Sequence, residues 1–295
     1  MRRPWTLACA VVGIVATAQG IAGGARAAEP PPAPPKIAPS NASPPGPLAP
    51  RKPLPAGTAE KLKSGEPERI AAALEDARLA GKGATSLAGE IAGLLDRGLN
   101  GALAESALNA LAEIESPAST PSVAAYLQHR DAKVRTAAAK ALARTKGPAA
   151  VAALRHALAD SEAPVRSAAA TSLGVLRARE AVGDLALALD HRVVEAAAPI
   201  GQLCNADECA DFLARLGRLP LDLVESGLEP MLFRPVAEVN EDTKANVIGR
   251  VRELKTNEAH KFLLGIQKRW PATGSPRLKT LIEQAVKATT RASGS

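Results

Sequence analysis

The sequence predicts an all-α fold: an α-solenoid of stacked two-helix repeats, preceded by a signal peptide and a disordered Pro-rich linker. Three observations carry this. Apolar residues recur with a period of 31 through the middle of the chain. Aromatic residues number only six in 295, although 46% of the chain is hydrophobic, so the core must be aliphatic and rich in alanine. A β-sandwich or barrel would draw more heavily on Val, Ile, Thr and aromatics. Finally, twelve of the 24 prolines lie between Pro30 and Pro55, which sets one segment apart as unable to build a helix.

Residues 1–27 read as a signal peptide. Arg2 and Arg3 form a positive start, an uncharged and mainly apolar run follows from Trp5 to Ala25, and Ala25-Arg26-Ala27 is a small-x-small cleavage site. The alternative is an uncleaved membrane anchor, since the run has about the ~20 residues a span requires. Thr17, Gln19 and the glycines dilute it and favour cleavage after Ala27. The exported chain then keeps a net charge of +4, because residues 1–27 hold three arginines and no acid. That is too mild and too dispersed for nucleic-acid binding. Residues 28–57 follow as the Pro/Ala-rich linker, whose runs Pro30-Pro31-Pro32 and Pro34-Pro35 favour polyproline II.

Residues 58–220 form the repeat domain. Val123 and Leu127 recur as Leu154 and Leu158, then as Leu185 and Leu189. A second set, Leu103, Ala107 and Leu111, recurs as Val134, Ala138 and Leu142, then as Val165, Ala169 and Leu173. Spacings of four and eight place each set on one helical face. Two sets sharing one period mean two helices per unit, and such units must stack to bury their stripes. Thr120-Pro121 and Gly147-Pro148 read as cap-plus-proline starts of the first helix. His129-Arg130-Asp131 and Asp160-Ser161-Glu162 read as polar turns into the second. Arg135 and Arg166 each follow an acid by four residues, Asp131 and Glu162, a spacing that predicts a pair within one helix.

These residues carry a family resemblance. Asp131-Ala132-Lys133-Val134-Arg135 with Ala138 and Leu142, and Glu162-Ala163-Pro164-Val165-Arg166 with Ala169 and Leu173-Gly174, resemble the second helix of a HEAT repeat of the short, phycobilin-lyase-like kind. Flanking units depart from the pattern. Ala104 stands at the arginine position of one, and Val194 and Gly201 stand where arginine and leucine are expected in another. The resemblance spans roughly residues 64–217. It implies second helices lining a concave, partner-binding side, and arginines that serve more as a ladder between units than as a ligand site.

Residues 221–295 read as a C-terminal helical extension, with helices near 241–254, 257–270 and 276–290, the last opened by Ser275-Pro276. Two cysteines remain after export, Cys204 and Cys209. In one unbroken helix their side chains would lie about 140° apart and could not bond. Asn205 and Glu208, however, form a capping-box pattern that breaks the helix there. That places the cysteines before the cap and at the fourth helical position, where a hydrophobic staple makes contact. A disulfide is therefore expected.

The expected function is a protein–protein interaction scaffold or adaptor in a bacterial cell envelope, periplasmic or secreted. Its expected partner is another envelope protein, and no nucleic acid. The partner-binding candidates follow the unit offset along the second helices: Glu105 and Asn109, Thr136 and Lys140, Ser167 and Thr171. A cell-wall or membrane-surface binder using the mild basic charge and the proline arm is the alternative, and a lyase-type accessory enzyme is a third reading. His129, His156, His191 and His260 lack metal-ligand spacing, and no phosphate loop or nucleophile elbow is present. No cofactor, metal or catalytic residue is expected. Glu238, Glu241 and Asp242 are expected to cap a helix, and Phe262 and Trp270 to pack.

Overall fold

Each apolar stripe of the sequence becomes the buried side of one helix. The computed structural model describes residues 52–292, which are helices, turns and connecting segments, with one isolated bridge between Leu216 and Leu219. The chain divides into Met1–Leu48 and Ala49–Ser295, and all the described residues lie in the second unit. The signal peptide expected over 1–27 lies outside them, as does the expected linker up to Arg51.

The helices come in pairs. These are α1 (Thr58–Lys63) with α2 (Pro67–Ala80), α3 (Ala88–Asp96) with α4 (Gly101–Ile114), α5 (Thr120–Ala125) with α6 (Ala132–Thr145), and α7 (Pro148–Ala157) with α8 (Ala163–Val175). Three further pairs follow: α9 (Val182–Asp190) with α10 (Ala197–Leu203), α11 (Ala206–Leu213) with α12 (Leu221–Phe233), and α13 (Glu241–Glu253) with α14 (Asn257–Arg269). Helix α15 (Pro276–Ala292) closes the series. Second helices touch in chain order from α2 to α14 and form one layer. First helices form the other, α3–α5–α7 and then α9–α11–α13, while α7 and α9 meet only weakly. The two 31-residue apolar sets lie entirely within the buried core.

Short side chains let the second helices approach closely. Ser172 on α8 donates to the Ala139 carbonyl of α6 at 2.9 Å. A Cβ on Gly174 would stand 2.8 Å from Pro199 of α10. Between α10 and α12 the backbones nearly touch, since a Cβ on Gly201 would lie 1.9 Å from the Gly227 carbonyl oxygen. Gly201 departs from the leucine of the repeat pattern for this reason. A leucine would have to occupy the space of α12.

Helix starts follow local chemistry. Asn100, Asp131, Asn240 and Thr256 accept backbone N–H bonds at the starts of α4, α6, α13 and α14. Gly147 takes φ 98° before Pro148, a left-handed value that suits glycine. Thr120 differs from expectation. It begins α5 but does not cap it. Its hydroxyl donates instead to the Lys146 carbonyl at 3.2 Å, tying one repeat to the next. Tyr126 does the same in the other direction, donating to the Leu95 carbonyl at 2.8 Å.

The C-terminal helices match the expected spans closely, and α15 packs on both α13 and α14. It buries Leu278, Ile282, Ala285 and Thr289, and Thr289 pairs with His260 at 3.0 Å. The α12–α13 junction is held by Arg234 and Lys244. Arg234 donates to the Cys204 carbonyl at 2.9 Å and to Glu238 at 3.0 Å. Lys244, 4% exposed, donates to the Arg234 carbonyl, and burial pulls its ammonium below the usual lysine range. Glu241 and Asp242 occupy the first turn of α13, where acids suit a helix start. Glu238 is tied to Arg234 and does not cap. Trp270 rests against the Phe233 ring with centroids 5.8 Å apart, and Phe262 packs on the core.

Candidate partner-binding surface

The central second helices α4, α6 and α8 present an outward ridge because half or more of their residues are buried. In α6, eight of the fourteen residues are buried, leaving Lys133, Lys140 and Arg144 exposed and Thr136 half-buried. The same positions recur at steps of 31 on the neighbouring α4 and α8. Glu105, Asn109 and Thr171 are exposed, and Ser167 is half-buried. The structure therefore brings the six candidates together as two residues on each of three adjacent helices. Two hydroxyls are partly committed. Thr136 donates to the Ala132 carbonyl at 2.8 Å and Thr171 to that of Ser167 at 2.9 Å.

The ridge extends one turn further than the sequence reading placed it. Glu113, Arg144 and Val175 follow Asn109, Lys140 and Thr171 by four residues each and keep the same register. Val175 is 60% exposed. Unit-offset arithmetic carried one turn onward would have found all three. Arg144 also reaches Glu115 at the end of α4, and Glu115 receives Lys82 at 2.9 Å. The Lys82 hydrogen bond, joined by the charges of Arg144 and Lys146, holds the Glu115 carboxyl below its ordinary range.

The expected pairs within single helices do not form. Asp131 accepts the backbone N–H of Lys133 at the start of α6. Arg135 turns instead to the next repeat, where its Nε and Nη2 grip the two Asp160 oxygens at 2.8 Å each. Its Nη1 donates to the His129 carbonyl at 2.9 Å. The side chains of this pair are only 13% and 12% exposed, and the Arg135 hydrogen bond holds Asp160 below the usual aspartate range. Arg166 likewise turns away from Glu162 and donates to the Asp160 and Ser161 carbonyls at 2.7 and 2.8 Å. Glu162 stands at the N-cap of α8 without capping it through its side chain.

Cys204 and Cys209 are joined in a disulfide. Helix α10 ends at Leu203, and Asn205 and Glu208 make the full reciprocal capping box that starts α11. Both cysteines are buried. Among the described residues, no helix is long and apolar enough to cross a membrane. Among the same residues, no three His, Cys, Asp or Glu side chains gather closely enough to hold a metal ion.

Residues 91–174 match the family of HEAT repeats. That stretch runs from within α3 almost to the end of α8 and contains the partner-binding candidates. Comparison with the curated proteins gives no match. Among solved structures, the chain is similar to the complex of CpcE and CpcF of phycocyanin lyase from Nostoc sp. PCC7120. The identity is 18%, covering 85% of this chain and all of that one, with a TM-score of 0.45. It is also similar to a designed armadillo repeat protein in complex with the peptide (KR)4, at 15% identity over 79% of this chain and 98% of that one, TM-score 0.33. Human deoxyhypusine hydroxylase in complex with glycerol gives 13% identity over 79% of this chain and 97% of that one, TM-score 0.34.

Proposed function

We propose that this HEAT-repeat chain is an exported protein-interaction scaffold or adaptor of a bacterial cell envelope, working through the ridge of its second helices. The observation that carries the reading is register. Glu105, Thr136 and Ser167, then Asn109, Lys140 and Thr171, stand at equal offsets on three adjacent helices. They display hydrogen-bonding groups and both signs of charge. A stack of repeats offers an extended surface of this kind, suited to a partner that lies along it. The Cys204–Cys209 disulfide supports export, because disulfides persist in oxidising compartments. The sequence of residues 1–27 supports the same route.

The test is capture from envelope extract by immobilised protein, with a Glu105→Lys, Lys140→Glu double variant alongside. One protein retained by the wild type and lost on the variant is the expected result. A small molecule copurifying stoichiometrically, with no protein retained, overturns the scaffold. Sedimentation with peptidoglycan, lost at moderate salt, would assign the chain to the cell wall instead. Protein taken from its native host should begin at Ala28 and carry no free thiol at Cys204 or Cys209. Two free thiols there would count against export.

A further inference from the structure

Two grooves between successive first helices are repeat equivalents whose acids differ: Ala153 and Asp160 line the first where Asp184 and His191 line the second. The first, about 450 Å³, is lined by Leu127, Arg135, His156, Ala157 and Asp160. The second, about 530 Å³, is lined by Leu158, Arg166, Leu187, Ala188 and His191. Each residue of the second stands 31 places after its counterpart in the first. Both arginines are anchored alike, through Nη1 to two carbonyls of the preceding turn. In the first groove the other edge of the guanidinium, Nε and Nη2, grips Asp160. In the second, His191 lines the groove 31 places after that aspartate and brings no carboxylate, and Arg166 forms no ion pair among the described residues. The rung that closes one repeat is open in the next.

We propose that the groove between α7 and α9 binds an acidic peptide segment, with one Asp or Glu carboxylate seated on Arg166 as Asp160 is seated on Arg135. Three observations fit this occupant. The Nε–Nη2 edge of a held guanidinium matches a carboxylate in two parallel bonds, and Arg135 shows the fit within this fold. The one acid lining the groove, Asp184, is taken by Arg155 at the rim, so it does not compete for Arg166. Leu187, 59% exposed, lines the same groove as the buried Leu158 and offers an apolar rest for a neighbouring side chain of the peptide. The groove is lined mainly from α7 and α9, with Arg166 reaching it from the first turn of α8, and none of the ridge residues lines it, so the proposal does not depend on the second-helix ridge.

Calorimetric titration of the purified protein with acetyl-Leu-Asp-Leu-amide and with its Asn counterpart tests this. The Asp peptide should bind roughly tenfold more tightly, since the difference between them is a charge-assisted pair. Its binding should shift the Arg166 Nε–H resonance. Arg166→Gln should abolish the preference. His191→Asp should abolish it too, by supplying the missing carboxylate from within, and should raise the melting temperature. Equal affinity for the two peptides overturns the proposal. So does Asp-peptide binding that survives His191→Asp, or no binding of either peptide up to about millimolar concentration. Envelope-protein capture by the ridge should be unchanged in His191→Asp, so failure of one reading leaves the other standing.

Discussion

Arg135 shows what a single side chain contributes to a stack of repeats. It holds the preceding turn through backbone carbonyls and the following repeat through Asp160, and both charges are mostly withdrawn from water. Removing one partner leaves the other desolvated, so Arg135→Gln should cost about 2 kcal/mol at neutral pH in urea unfolding. The pH dependence follows from the sign of the shift. Asp160 titrates lower in the folded than in the unfolded chain. Its contribution is therefore complete above the ordinary aspartate range and is lost as pH falls through the folded value. The stability gap between wild type and Arg135→Gln should narrow in acid, and a gap that stays constant with pH would show that the pair is not its source. Lys140 on the exposed ridge has no such role in packing, and Lys140→Ala should shift stability by less than about 0.5 kcal/mol.

At the scale of helices, stability rests on a few large side chains and on closely approaching small ones. Leu158 closes the end of α7 and is buried. Leu158→Ala should cost about 2–5 kcal/mol, several times the effect at Lys140, as read from melting curves of the two variants. Equal shifts would mean that the 31-residue register is wrong. The α10–α12 crossing gives a sharper contrast between two glycines. Gly201→Ala pushes a methyl group into the Gly227 backbone and should cost about 3 kcal/mol or more, at or above the upper end of ordinary overpacking. Gly249→Ala, in mid-α13 with open space around it, should add about 0.5–1 kcal/mol by helix propensity. Denaturant midpoints of both variants check this pair of opposite signs. The disulfide acts at the same scale. It spans the break between α10 and α11 and contributes about 2 kcal/mol on a loop-entropy model, beside the capping box of Asn205 and Glu208.

For the whole described unit, the ends of the stack are the weak points, because each repeat covers its neighbour and a terminal one lacks cover. Helix α15 supplies that cover at the C-terminal end, lying over α13 and α14 and burying Leu278 and Ile282. Deleting residues 276–295 should expose the apolar sides of those helices. Size-exclusion chromatography should then show association or aggregation that the full chain lacks, with Leu278→Ala, Ile282→Ala giving a milder form. A truncated chain as monomeric and as stable as the parent would show that α15 is dispensable.

The sequence by itself determined the helical class, the two-helix unit, the identity of the buried faces, the disulfide and the three C-terminal helices. All of these are set by local chemistry or by periodicity along the chain: apolar spacing, caps, prolines and the reach of two cysteines five residues apart. The candidate residues from Glu105 to Thr171 were legible for the same reason, since a solvent-facing position repeats as faithfully as a buried one. The tertiary structure alone decided which partner each polar group takes. Asp131 and Asp160 look alike in sequence. Both accept a backbone N–H two residues on, and Asp160 alone also takes an arginine of the preceding repeat. Thr120 has the look of a cap and serves as a tie between repeats. Gly201 appears as a lapse in the pattern until α12 is seen lying against it. The cause is common to all three. A hydrogen-bonding or steric partner one repeat away is close in space and 25 or 26 residues distant in sequence, and no rule of local spacing distinguishes it from the solvent.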